Sequence, residues 1–105
     1  MQYKIVRSEL ADNQIRSIIL YIAESFGVDI ALDKLDELEQ EIRLLADKPY
    51  LGMLPHDATL RRCGYRVLIL EKNLLFYKVN ETDKIIEIHA VVDQKMDYVR
   101  ILQGM

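Results

Sequence analysis

The side chains that could do chemistry in this 105-residue chain are two histidines, one cysteine, and arginines and lysines gathered toward the C-terminus. His89 has the most suggestive neighbours. It stands in the apolar run Ile85–Val92. Alternation there puts Glu87, His89 and Val91 on one face of a strand and Ile86, Ile88, Ala90 and Val92 on the other. The second set suits a covered core, which leaves Glu87 and His89 on an open face. Arg66 and Lys78 fall on neighbouring apolar segments at positions that share this open face, although a slip of one residue would reverse either placement. His56, beside Asp57 in an irregular stretch, reads instead as half of a surface pair. With a lone Cys63 and histidines far apart in sequence, neither an internal disulfide nor a metal centre is expected, and no cofactor is implied. Glu37, Glu39 and Glu41 read as the solvated face of a helix.

The segments that must position these residues are legible. Tyr65–Leu70 and Leu74–Val79 are rich in β-branched and aromatic residues, and Glu71-Lys72-Asn73 between them has the length of a hairpin loop. A second polar turn, Asn80-Glu81-Thr82-Asp83-Lys84, leads into Ile85–Val92. Strands joined this tightly form an antiparallel meander, and Tyr3-Lys4-Ile5-Val6 offers a fourth strand. Ser8 is placed to cap a helix with Glu9 and Asp12 in its first turn, and Ile15, Ile18, Ile19, Ile22 and Phe26 form its apolar stripe. Gly27 ends it. Asp29 is placed to cap a second helix whose Ala31, Leu35, Leu38, Ile42 and Leu45 make a seam suited to an antiparallel hairpin. Pro49 ends that helix, and residues through Leu60 read as an irregular connector. The expected fold is α+β: a four-stranded, mainly antiparallel sheet with a helical hairpin on one face, as a single domain.

Composition narrows the class. Half the residues are hydrophobic and 30% are charged, a globular balance. No signal-like or membrane-spanning run occurs, so a cytoplasmic protein is expected. The net charge of −3 argues against general nucleic-acid binding. It is unevenly spread: residues 1–60 carry 6 Lys/Arg against 11 Asp/Glu, and residues 61–105 carry 8 against 6. An anionic partner would therefore meet the C-terminal part.

This order of segments, with these residues, resembles the RelE/ParE superfamily of toxins from bacterial type II toxin–antitoxin pairs, over nearly the whole chain. The resemblance rests on Ile18-Ile19-Leu20-Tyr21-Ile22-Ala23 in the first helix and Leu45-Ala46-Asp47-Lys48-Pro49-Tyr50-Leu51-Gly52 at the end of the second. Gly64-Tyr65-Arg66, Phe76-Tyr77-Lys78-Val79 and Asp97-Tyr98 complete it. It implies a small toxin that arrests growth, of the plasmid-stabilisation kind, neutralised by an antitoxin protein in a hetero-oligomer. RelE-like members cut messenger RNA on the ribosome without a metal, and ParE-like members poison DNA gyrase. A third possibility is an inactive antitoxin-binding module of the same fold.

For the RNA-cleaving case, expected first from the sequence, the resemblance implies Arg66, Lys95 and Tyr98 as catalytic residues. Arg61, Arg62, Lys78 and His89 would be RNA contacts. Two departures weigh against that case. Leu74 or Leu75 stands where ribosome-dependent members commonly have an arginine, and the tail Asp93-Gln94-Lys95-Met96-Asp97-Tyr98 lacks the family histidine and one of two cations. Losing a well-placed charge stabiliser costs on the order of a hundred-fold in rate.

Overall fold

The computed structural model describes residues 2–94 and Leu102. Strand β1 (Lys4–Arg7) leads into helices α1 (Glu9–Phe26) and α2 (Val28–Asp47). A connector ending in the short helix α3 (Ala58–Arg62) follows, then strands β2 (Tyr65–Ile69), β3 (Asn73–Asn80) and β4 (Ile85–Asp93). The sheet order is β1-β4-β3-β2. β2, β3 and β4 form the expected antiparallel meander, and β1 lies parallel to β4. Parallel pairing needs a long crossover, and everything between β1 and β4 supplies it.

Ser8 caps α1 by accepting a hydrogen bond from the Ala11 amide, with Glu9 and Asp12 in the first turn. Gly27, at φ 105°, both terminates α1 and caps α2, so the hairpin turns on one residue. Asp29, expected to cap α2, therefore lies inside its first turn. Ala31, Leu38, Ile42 and Leu45 are buried as the seam predicts, and the last three pack with Ala11 and Ile15 of α1 onto the sheet. Phe26 departs from expectation: it is 62% exposed at the hairpin tip, where the buried stripe has run out. Among the described residues no helix is long and apolar enough to cross a membrane.

The alternation expected for β4 does not persist along the strand. Phe76 pairs with Ala90 and Tyr77 with Ile88, which leaves His89 as the unpaired residue of a β-bulge. Before it, Ile86 and Ile88 face the helices. After it the phase inverts, and Val91 joins the helix-side core. Ala90 and Val92 turn to the opposite face, where they pack with Leu60, Tyr65, Val67, Phe76 and Leu102. That second face, expected to be open, thus carries a smaller core of its own beneath α3. Two side chains of the N-terminal region secure the irregularity. The Ser8 hydroxyl donates to the His89 carbonyl at 2.9 Å, and the Gln14 side-chain carbonyl accepts from the Val91 amide at 2.7 Å.

The connector is also more ordered than its composition suggests. Asp57 caps α3 by accepting from the Leu60 amide rather than pairing with His56. Met53 and Val67 exchange both backbone hydrogen bonds at 2.9 Å, which covers part of the edge strand β2. Tyr77, fully buried, accepts from the Gly52 amide at 2.9 Å and donates to the Pro49 carbonyl at 2.8 Å. Near the other end, Tyr50 and Tyr3 donate hydroxyl hydrogen bonds to the Glu81 carboxylate in the β3–β4 turn.

Candidate functional site

Strand register decides which candidate residues meet. Residues directly opposite each other in an antiparallel pair share a face. Tyr65 pairs with Lys78, and Arg66 pairs with Tyr77, a helix-side core residue. Arg66 therefore lies on the helix side of the sheet, and Lys78 lies on the other with Tyr65 and His89. The expectation that Arg66, Lys78 and His89 share one face is overturned. The physical reason is that Tyr65 pairs with Lys78, one step away from the register that would align Arg66 with it.

Arg66 is committed locally. Its guanidinium donates to the Gly52 carbonyl at 2.6 Å and to the Tyr50 carbonyl at 3.4 Å, and lies 5.1 Å from the centroid of the Tyr50 ring. Its buried Nε has no hydrogen-bond partner. Arg61 is similarly occupied, donating to the carbonyls of Pro55 and His56 at 3.1 Å. Arg62, in the last turn of α3, is exposed. Lys95 and Tyr98, the tail members of the expected site, lie outside the described residues.

What does assemble is a cluster around Tyr65. The His89 ring meets the Tyr65 ring edge-to-face at 5.3 Å, and Lys78 Nζ lies 4.5 Å from the centroid of the same ring. Glu87 Oε1 is 3.9 Å from His89 Nε2, beyond hydrogen-bonding distance, and that buried nitrogen has no hydrogen-bond partner. Burial lowers the His89 pKa, the Lys78 charge lowers it further, and Glu87 opposes both. The net shift favours the neutral imidazole. Burial also raises the Tyr65 hydroxyl above its ordinary pKa. The cluster can present a cation and a neutral imidazole to an anionic or polar surface. Among the described residues no three His, Cys, Asp or Glu side chains converge as a metal site.

Sequence reasoning located Lys78 and His89 but missed Tyr65, which organises them. Gly64-Tyr65 stood in the motif without a role, and the signal was the cross-strand pairing of Tyr65 with Lys78.

The fold is that of the RelE/ParE superfamily of toxins. A chromosomal ParDE system from P. aeruginosa superposes with a TM-score of 0.72 at 17% identity, covering 88% of this chain and 96% of that one. A mutant of E. coli RelE in the free state gives 0.65 at 14% identity over 100% and 99% of the two chains. A chain of the RelBE2 toxin–antitoxin complex from Mycobacterium tuberculosis gives 0.60 at 12% identity over 90% and 100%. No curated protein sequence matches significantly. The family model for the ParE toxin of the parDE type II toxin–antitoxin system matches residues 5–98, and the chain belongs to that family.

Proposed function

We propose that this toxin arrests growth by binding DNA gyrase rather than by cutting RNA, and that a cognate antitoxin protein neutralises it. One observation carries the choice of target: Arg66, needed to stabilise charge on a cleaving phosphate, is on the opposite face from Lys78 and His89 and tied to the Gly52 carbonyl. Separated groups cannot act on one phosphate, because the stabilising cation must lie where charge develops. The match to the ParE family over residues 5–98 supports the same reading. So do the departures Leu74 and Leu75 and the acidic total, which disfavours docking on ribosomal RNA.

A second reading, ribosome-dependent mRNA cleavage, draws on the His89 cluster. A neutral imidazole beside Lys78 has the chemistry of a proton acceptor once its buried Nε2 is uncovered. Lys95 and Tyr98 would have to complete that site.

The experiment is to express the chain without antitoxin, follow colony counts, map RNA 5′ ends genome-wide, and assay purified toxin against gyrase supercoiling. The expected result is colony loss with inhibited supercoiling and no new ends. New ends in phase with codons, with supercoiling untouched, would overturn the gyrase reading.

A further inference from the structure

The helical hairpin carries a concentration of exposed apolar side chains that the core does not use. Of the thirteen large hydrophobic residues that stand exposed among the described residues, six lie in residues 20–32, around the Gly27 turn. Three of them open α2: Val28, Ile30 and Leu32 are 63%, 53% and 52% exposed. Single exposed apolar residues are ordinary on any surface. Three within the first turns of one helix, where polar helix formers would serve as well, mark a contact surface.

Their charged neighbours state what kind of partner fits. α2 carries seven Asp/Glu against two basic residues, Lys34 and Arg43. Helical spacing sets Asp29, Asp33 and Asp36 in one exposed row opposite the buried seam. Val28 and Leu32 border that row on one side and Ile30 on the other. None of the three carboxylates has an ion-pair partner among the described residues. Apolar side chains interleaved with unpaired carboxylates are complementary to an apolar surface rimmed by Lys and Arg. The same charge turns nucleic acid away, and a second copy of the chain would set two acidic rows against each other. An enzyme that holds DNA must present Lys and Arg to its phosphates, and gyrase is such an enzyme.

We propose that this face of α2 docks on gyrase, with Val28, Ile30 and Leu32 against an apolar surface and Asp29, Asp33 and Asp36 on its Lys and Arg rim. The proposal rests on the gyrase reading and adds the surface that the toxin uses. The decisive measurement is the affinity of purified toxin for intact gyrase, by calorimetry at low and high salt, alongside inhibition of supercoiling. The variants are Val28→Gln with Leu32→Gln, Asp33→Lys with Asp36→Lys, and Leu54→Gln, which changes a comparably exposed residue of the connector. All should melt near wild type, because none of these side chains is buried. The apolar pair should weaken gyrase binding roughly ten-fold or more. The charge reversal should weaken it by a similar factor, roughly ten-fold, and flatten its salt dependence. Leu54→Gln should change neither.

Unchanged gyrase affinity and inhibition in both hairpin variants would overturn the proposal while leaving gyrase as the target. So would a loss in Leu54→Gln equal to theirs. Self-association of the wild-type toxin that the Val28 and Leu32 changes abolish, with gyrase affinity intact, would make the face a contact between copies and overturn it. Loss of antitoxin binding with gyrase affinity intact would overturn it likewise. Wild-type toxin that neither binds gyrase nor inhibits supercoiling would refute the gyrase reading itself, and the proposal with it.

Discussion

Gly52→Ala tests the connector that anchors the edge of the sheet. Gly52 is required by space, not by a left-handed φ. A Cβ there would lie 2.7 Å from the Val67 carbonyl oxygen, 2.8 Å from the Tyr77 hydroxyl and 2.9 Å from Tyr77 Cε1. The Val67 oxygen cannot retreat cheaply, because it accepts from the Met53 amide at 2.9 Å. Tyr77 cannot either, because it is fully buried and bonds both Gly52 and Pro49. Tyr77→Phe alone removes two hydrogen bonds and strands an amide and a carbonyl, a loss of about 2–3 kcal/mol. Gly52→Ala adds steric displacement and should cost about 3 kcal/mol or more. In a domain of this size that lowers Tm by at least about 10 °C in thermal unfolding of the purified toxin. Adding Tyr77→Phe in the Gly52→Ala background should cost less than in wild type, with a coupling of about 1 kcal/mol, since the displaced hydroxyl has already lost its partners. If Gly52→Ala melts within about 2 °C of wild type, the close approach is not a constraint and the reasoning fails.

Arg66→Met keeps the stem's packing and deletes the guanidinium bonded to Gly52; it should lower Tm yet leave growth arrest intact at permissive temperature, scored by colony counts with soluble protein verified. The His89 pKa is held below its ordinary 6.5 by burial and by Lys78, against Glu87, so below about that pH the unfolded chain takes up the proton first. Stability should therefore be full above pH 6.5 and fall as the pH drops through the folded pKa; His89→Gln should flatten that window in urea titrations. The loss from Glu81, whose pKa is lowered by hydrogen bonds from Tyr50 and Tyr3, comes later, below its ordinary 4.5. Deleting His89 should be tolerated better than deleting Ala90, by a higher Tm, because only the former preserves the pairing of Tyr77 with Ile88 and of Phe76 with Ala90.

The legible parts of this fold were those fixed by period and punctuation. The α2 seam, the Ser8 cap, the Gly27 break and the three meander strands follow from rules that local chemistry enforces. The parts not legible depend on partners distant in sequence. Gly27 serves two helices, which displaced Asp29 from its expected cap, and no local pattern distinguishes one glycine doing both from a longer turn. Asp57 did announce α3, as a cap residue just before a short helical stretch, but its neighbour His56 invited a different pairing.

The bulge at His89 is the instructive case, because it bears on the site. Strict alternation assigned Val91 to the outer face and Ala90 and Val92 to the helix side, and one extra residue inverts all three. Nothing within Ile85–Val92 marks it; the compensating groups are Ser8 and Gln14, more than seventy residues away. Those bonds would be wasted on a regular strand, since Gln14 satisfies an amide that β1 is too short to reach. The same inversion exposes the choice of target to test. The bulge sets His89 against Tyr65 and Lys78, and the β2–β3 register sets Arg66 against Tyr77 and the connector. A chain needing Arg66 and His89 together on a phosphate would have to shift the register by one residue, which would turn Leu68 out of the helix-side core. Core packing thus opposes bringing Arg66 onto the face that holds His89 and Lys78.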